Sequence, residues 1–288
     1  MIDYWCNAFT PDRGTLWRKV IEQDGLTIRL GARDDDDFID ADGMVARMDE
    51  AAIATLVIPV CEFDTGVGLD EFGHYALRTA EIEQLAANHP GRFVGTFSVT
   101  PDEPGDVAAA ERALHSAWCV GLHNHTHSWN HTFDAPAFEP YYELASSHGV
   151  PFVMQVGRSG GHRDHQLGHP RAITSPADRF PTVPFVLSHL GIPWLTETIQ
   201  TALEHDNILI GTATHPPRRW PDEFIDFVRG AGSQRTLFGT GYPLTGHRRV
   251  QSQLDVLDLP AATKDALREG NARRVFTRLP APPANRRQ

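Results

Sequence analysis

Cysteine, basic charge and long apolar runs are all scarce in this 288-residue chain. The three cysteines, Cys6, Cys61 and Cys119, lie in apolar surroundings at no metal-ligand spacing. An odd count leaves no disulfide framework, and buried thiols in a reducing compartment are expected. Lysine and arginine total 26 against 37 aspartates and glutamates, a formal charge of −11 with a pI near 5.7. That balance argues against nucleic acid or an anionic membrane as the main partner, since both select basic faces. No apolar run approaches the roughly 18 residues of a membrane span. The opening Met-Ile-Asp-Tyr-Trp is strand-like and lacks the basic region and apolar stretch of a signal peptide, so a cytoplasmic protein is expected. Gly157 to Gly161 contain neither the P-loop lysine pattern nor the dinucleotide fingerprint, which argues against nucleotide binding. Covalent acyl transfer by a serine or cysteine nucleophile is not expected. The acidic run Asp34 to Asp37 reads as a solvated loop, because four adjacent carboxylates do not by themselves converge on one point.

What is present is an alternation. Strand-like runs recur at Ile2 to Asn7, Thr55 to Val60, Phe93 to Val99, Val120 to His125, Phe152 to Val156, Phe185 to His189, Ile208 to Gly211 and Thr236 to Gly239. Between them lie stripes of helical period: Val107, Ala110, Leu114 and Trp118; Phe138, Tyr141, Tyr142 and Ala145; Leu195, Ile199, Ala202 and Leu203; Phe224, Phe227 and Val228. Continuous apolar strands separated by amphipathic helices predict a parallel sheet covered on both faces. Eight such units favour a closed (β/α)8 barrel, one domain over residues 1–279, with 280–288 as a C-terminal tail.

Pro184-Phe-Val-Leu-Ser-His-Leu-Gly191 places one imidazole, His189, at the carboxyl end of the sixth run, where such barrels keep their chemistry. Two histidine-dense stretches, Leu122 to His131 and Gly157 to His169, also follow strands and belong on the same face.

These residues, with Gly91-Arg-Phe-Val-Gly95, Thr126-His127, Asp134-Ala-Pro-Ala-Phe138, Gly149-Val-Pro-Phe152, Leu237-Phe-Gly-Thr-Gly-Tyr-Pro243 and Asn271-Ala272, resemble the amidohydrolase-2 group. That group includes aminocarboxymuconate-semialdehyde decarboxylase and its relatives. The resemblance spans nearly the whole chain and implies a metal-dependent barrel with His-x-His ending the first strand. Here those positions read Trp5-Cys6-Asn7; the group's fifth-strand histidine corresponds to Gln155 and its Gly-Thr-Asp-Tyr-Pro aspartate to Gly241. Tryptophan offers a metal no lone pair, and neutral asparagine is a weak zinc ligand. His189 matches the residue that resembles a general acid or base in the group, and a lone histidine moves protons without a metal.

Three readings follow. The first, placed slightly ahead, is a barrel that has lost its customary metal site and serves as the partner subunit of a related, metal-bearing barrel in a homo- or hetero-oligomer. The second is a metal-independent hydrolase or decarboxylase of a small carboxylated or aromatic substrate. In it His189 transfers the proton, Trp5 stacks, Asn7 and Gln155 hold an oxygen and Arg158 pairs with a carboxylate. The third is a relocated site for zinc, iron or manganese, built from His123, His125 and His127 along one extended face with His189, or with His162, His165 or His169. The expected pocket is lined by Trp5, Asn7, His125, His127, Gln155, His189 and Gly241.

Overall fold

The computed structural model describes residues 1–15, 17, 38–60, 77–159 and 164–281. Cys61, the Asp34 to Asp37 run, His162 and residues 282–288 of the expected tail lie outside them. Eight parallel strands stand side by side in chain order: β1 (Ile2–Asp3), β2 (Thr55–Pro59), β3 (Phe93–Ser98), β4 (Cys119–Asn124), β5 (Phe152–Gln155), β6 (Phe185–Ser188), β7 (Ile208–Gly211) and β8 (Thr236–Leu237). Backbone bonds from Tyr4 N to the Phe238 carbonyl, from Asn7 N to the Tyr242 carbonyl and from Gly241 N to the Trp5 carbonyl join the first and last strands. The expected barrel is therefore present.

Each strand is buried on both faces, which is why the runs read as continuous apolar segments. Val57, Val94, Val120, Val153, Val186 and Leu209 point inward with Ile2 and Leu237, one from every strand. Their neighbours Leu56, Ile58, Phe152, Met154, Phe185 and Leu187 point outward to the helices. Burying each such side chain is worth about 1.5–3 kcal/mol. Ala272 and Val275 of the helix Asn271–Val275, and Phe276 just past its end, pack with the inner layer.

The helices follow the predicted stripes, except that Trp118 lies beyond the end of Asp106–Leu114 and two other positions are exposed. In Glu139–His148, Tyr141, Tyr142 and Ala145 are buried, and Gly149 ends the helix at φ 62°, where glycine carries no Cβ penalty. Phe224, Phe227 and Val228 of Asp222–Arg229 are likewise buried. Leu203 and Val107, by contrast, are exposed. In Leu195–Glu204 the buried face is Leu195, Thr198, Thr201 and Ala202. Thr198 bonds its hydroxyl to the Trp194 carbonyl, so a threonine occupies an inward position without stranding a polar group. Cys6 and Cys119 are buried, and burial pushes the Cys119 thiol up to about 11. Pro280, at the start of the expected tail, accepts a 2.9 Å bond from Arg273.

Candidate active site

Tyr4 crosses the barrel interior below the carboxyl ends of the strands. Its hydroxyl lies 2.7 Å from Ser188 Oγ and accepts from Ala213 N at 3.4 Å. Gly211 and Gly239 make room for it, since a Cβ at Gly211 would stand 2.0 Å from that hydroxyl and one at Gly239 2.5 Å from the ring. The absent side chains of β7 and the β8 loop are thus a packing requirement of Tyr4.

Above this floor the strand ends are tied by side chains. The buried Asp3 carboxylate accepts from Trp5 N at 3.2 Å, Thr240 N at 2.9 Å and His247 Nε2 at 3.0 Å, and also from the Thr240 hydroxyl. Trp5 Nε1 donates to Asn7 Oδ1 at 2.8 Å, and Asn7 Nδ2 donates to the Gly241 carbonyl at 3.1 Å. Gly241 adopts φ 63°, and a Cβ there would stand 2.5 Å from Thr214 Cγ2 and 2.7 Å from Thr214 N. Gln155 is half-buried and donates to the Arg158 carbonyl at 3.2 Å. Arg158 itself is exposed.

His189 follows β6 directly, in a left-handed run of φ 70°, 58° and 71° over His189, Leu190 and Gly191. Only Gly191 takes that conformation without strain. The imidazole meets the Trp5 indole edge to face, with ring centroids 5.3 Å apart. The ring is partly exposed, yet its Nδ1 is buried and has no hydrogen-bond partner among the described residues. Desolvation, reinforced by repulsion from His215 and His127, lowers its pKa from 6.5 to about 3, so the ring is neutral at pH 7. His215, four residues beyond β7, is also lowered, chiefly by desolvation, and its Nδ1 donates to the Ala213 carbonyl at 3.0 Å. The sequence reading passed over His215, although it follows its strand much as His189 does.

The three alternating histidines do not share one extended face. His123 is inside β4, fully desolvated, with Nδ1 3.2 Å from the Thr96 carbonyl and a ring edge against Trp5 at 5.7 Å; burial lowers it to about 3. After His125 the chain turns into the 3-10 segment Thr126–Ser128, which ends the alternation. His127 therefore points to the β5 loop, donating from Nε2 to the Gly157 carbonyl at 2.9 Å, with its ring 5.3 Å from that of His125. His125 bridges Ser128 Oγ at 2.6 Å and Ser159 Oγ at 2.9 Å. His169 lies against Trp194, ring centroids 4.8 Å apart.

Among the described residues, the potential metal-ligand group whose atoms come within 4.8 Å of one another is Glu111, His115 and His148, outside the barrel. Arg278 donates to His148 Nδ1 at 3.2 Å, which leaves the proton of neutral His148 on Nε2. The guanidinium also lowers the His148 pKa, after desolvation. Both effects oppose a cation there.

The chain is a parallel eight-stranded barrel with polar side chains gathered at the carboxyl ends of its strands. The family model described as Amidohydrolase, of the amidohydrolase-2 group, matches residues 3–278, and the chain belongs to this family. An uncharacterised TIM-barrel protein of Bordetella bronchiseptica is similar at TM-score 0.77 and 20% identity, over 97% of this chain and 99% of that one. 5-Carboxyvanillate decarboxylase of Sphingomonas paucimobilis is similar at TM-score 0.66 and 18% identity, over 96% and 98%. A dihydroxybenzoic acid decarboxylase of Polaromonas, holding manganese and the inhibitor 2-nitroresorcinol, is similar at TM-score 0.70 and 16% identity, over 98% of each chain. No curated protein matches the chain.

Proposed function

We propose that this chain is a metal-independent enzyme of the amidohydrolase family, a hydrolase or decarboxylase of a small carboxylated or aromatic substrate, with His189 as general acid and base. The observation that carries the reading is the buried Nδ1 of a neutral imidazole, without a hydrogen-bond partner among the described residues, beside the Trp5 ring. The residues at the group's metal positions do not fit an ion. Trp5 presents a donor, Asn7 Oδ1 is engaged by that donor, and Gly241 has neither a side chain nor space for one. No step is routed through a metal. The decarboxylases among the similar structures support a carboxylated aromatic substrate.

A carboxylate entering beside His189 supplies the negative charge that burial denies the ring, so it raises the imidazole pKa and brings a proton with it. The imidazolium then protonates the ring carbon bearing the carboxylate, the carbon–carboxyl bond breaks and CO2 leaves, so that one proton replaces one CO2. Arg158, exposed in the loop after β5, would pair with a substrate carboxylate. The test is decarboxylation of carboxylated phenols by chelator-treated protein and by His189→Asn. Turnover that survives chelation and is lost by about 100-fold or more in the variant supports the proposal. Turnover that requires added manganese, or that ignores His189, overturns it.

The internally bonded Trp5–Asn7–Gly241 chain favours a second reading, the partner subunit of a related metal-bearing barrel, because a filled ligand position suits a chain relieved of catalysis.

A further inference from the structure

His125 stands between two serines that arrive from different strand ends. Its Nδ1 lies 2.6 Å from Ser128 Oγ and its Nε2 2.9 Å from Ser159 Oγ. His125 and Ser159 are each only 8% exposed, so these bonds are made away from bulk water and retain a narrow opening to it. Ser128 belongs to the same turn as His125, its backbone N–H bonding the His125 carbonyl at 2.8 Å, and is suited to orient the ring. Ser159 comes from the loop after β5, which is pinned independently. Gly157 N donates to the Gly168 carbonyl at 2.8 Å, Arg158 N donates to the Ile192 carbonyl at 2.8 Å, and His127 holds the Gly157 carbonyl. Gly157 is required at this turn: φ is 80°, and a Cβ would stand 2.4 Å from the Ile192 carbonyl oxygen. A serine held on a tight glycine turn, a histidine in hydrogen-bond reach and a third group fixing that histidine are the parts of an activated nucleophile.

We infer that Ser159 is a nucleophile, with His125 as its base and Ser128 as the residue positioning His125, and that this relay gives the barrel an acyl-transfer activity toward small carboxylic esters. Ser128 accepts from His125 Nδ1–H, which leaves the Nε2 lone pair facing the Ser159 hydroxyl. Ser159 Oγ attacks the ester carbonyl while its proton passes to Nε2, and the new Oγ–acyl bond forms. The ester carbon–oxygen bond then breaks, and the leaving alcohol takes the proton from Nε2. Water attacks the acyl-serine, gives its proton to Nε2 and releases the acid, and Nε2 returns that proton to Ser159. No oxidant or metal enters the balance. The relay does not use His189, so it stands apart from the proton transfer proposed above.

The test is a fluorophosphonate probe on the full chain, with p-nitrophenyl acetate hydrolysis and phenolic-acid decarboxylation read on the same preparation. One phosphonyl group per chain on the Ser159 peptide is expected, lost in Ser159→Ala. Labelling should slow by about 100-fold or more in His125→Gln. In Ser128→Ala it should slow less, with its pH profile moved, a change that a merely structural serine would not produce. Ser159→Cys keeps the side-chain size and should also lose labelling, which covers the case of a poorly folded alanine variant. Absence of an adduct on folded protein, or an adduct on another residue, overturns the inference. Labelling without decarboxylation keeps the relay and defeats the His189 reading; decarboxylation without labelling does the reverse.

Discussion

A Cβ on Gly241 would stand 2.5 Å from Thr214 Cγ2, so the position at which the family resemblance implies an aspartate is closed here by the loop after β7. The closure involves backbone as well as side chain, because Thr214 N is 2.7 Å from the same point. Thr214 itself has φ 64°, which holds its side chain across the gap.

Gly241→Asp is therefore expected to gain no tight, stoichiometric zinc or manganese. It is also expected to lose about 2–4 kcal/mol of stability, from left-handed strain and overpacking together. Metal analysis after gel filtration and a urea midpoint check both halves. One tightly held ion per chain would sink the account of this pocket.

His189 occupies φ 70°, a conformation that asparagine tolerates better than most residues. His189→Asn should fold with a melting temperature close to that of the parent and be inactive, and His189→Gly should be at least as stable as the parent. A large loss of stability in both variants would make the ring a structural post instead of a proton carrier.

Acid should unfold the protein earlier than its carboxylates require. His123 and His189 drop from 6.5 to about 3 on folding, so below pH 6.5 the unfolded chain binds protons that the native pocket refuses. Stability from these groups is complete above pH 6.5 and falls as pH drops toward 3. His123 alone contributes a loss of about 2 kcal/mol between pH 6.5 and 5. Urea midpoints across that range should slope downward with acid, and His123→Gln should flatten the slope. Equal slopes in both proteins would contradict the assignment.

Asp3 gathers Trp5 N, Thr240 N, the Thr240 hydroxyl and His247 Nε2, all donors, at the seam between β1 and β8. Asp3→Asn turns one acceptor oxygen into a donor against them and should cost about 2–4 kcal/mol. Hydrogen exchange at the Thr240 amide should accelerate more than exchange within β4, which the seam does not touch.

This seam also explains where the strands were longer in the sequence than in the fold. The runs Ile2 to Asn7 and Thr236 to Gly239 are apolar enough to read as full strands, but regular pairing stops at Asp3 and at Leu237. Beyond those points side chains interrupt the ladder, with Thr240 N bonding Asp3 and Gly239 N bonding Thr212 Oγ1 at 3.1 Å, between backbone bonds such as Asn7 N to the Tyr242 carbonyl. The eight strands and the position of His189 were legible because burial on both faces leaves a periodic trace. Thr214, which fills the place of an aspartate, left none, since its effect depends on a contact across the barrel. The His125–Ser159 bond joins residues 34 apart and exists only because β4 and β5 are neighbours. Gly157-Arg158-Ser159-Gly160-Gly161 has the Gly-x-Ser-x-Gly spacing, so the serine was marked in the sequence although its histidine partner was not. The missed signal was Gly157, a glycine directly after a strand, two residues ahead of a serine.

The most direct test of a metal-independent pocket is a native mass spectrum of the protein isolated from its own cells. It weighs the chain, any retained ion and any partner in one measurement. The account predicts a chain whose mass carries no zinc, iron or manganese. One such ion held by each copy of this chain would contradict it, and a complex whose only metal sits on a related barrel would make the chain that barrel's partner.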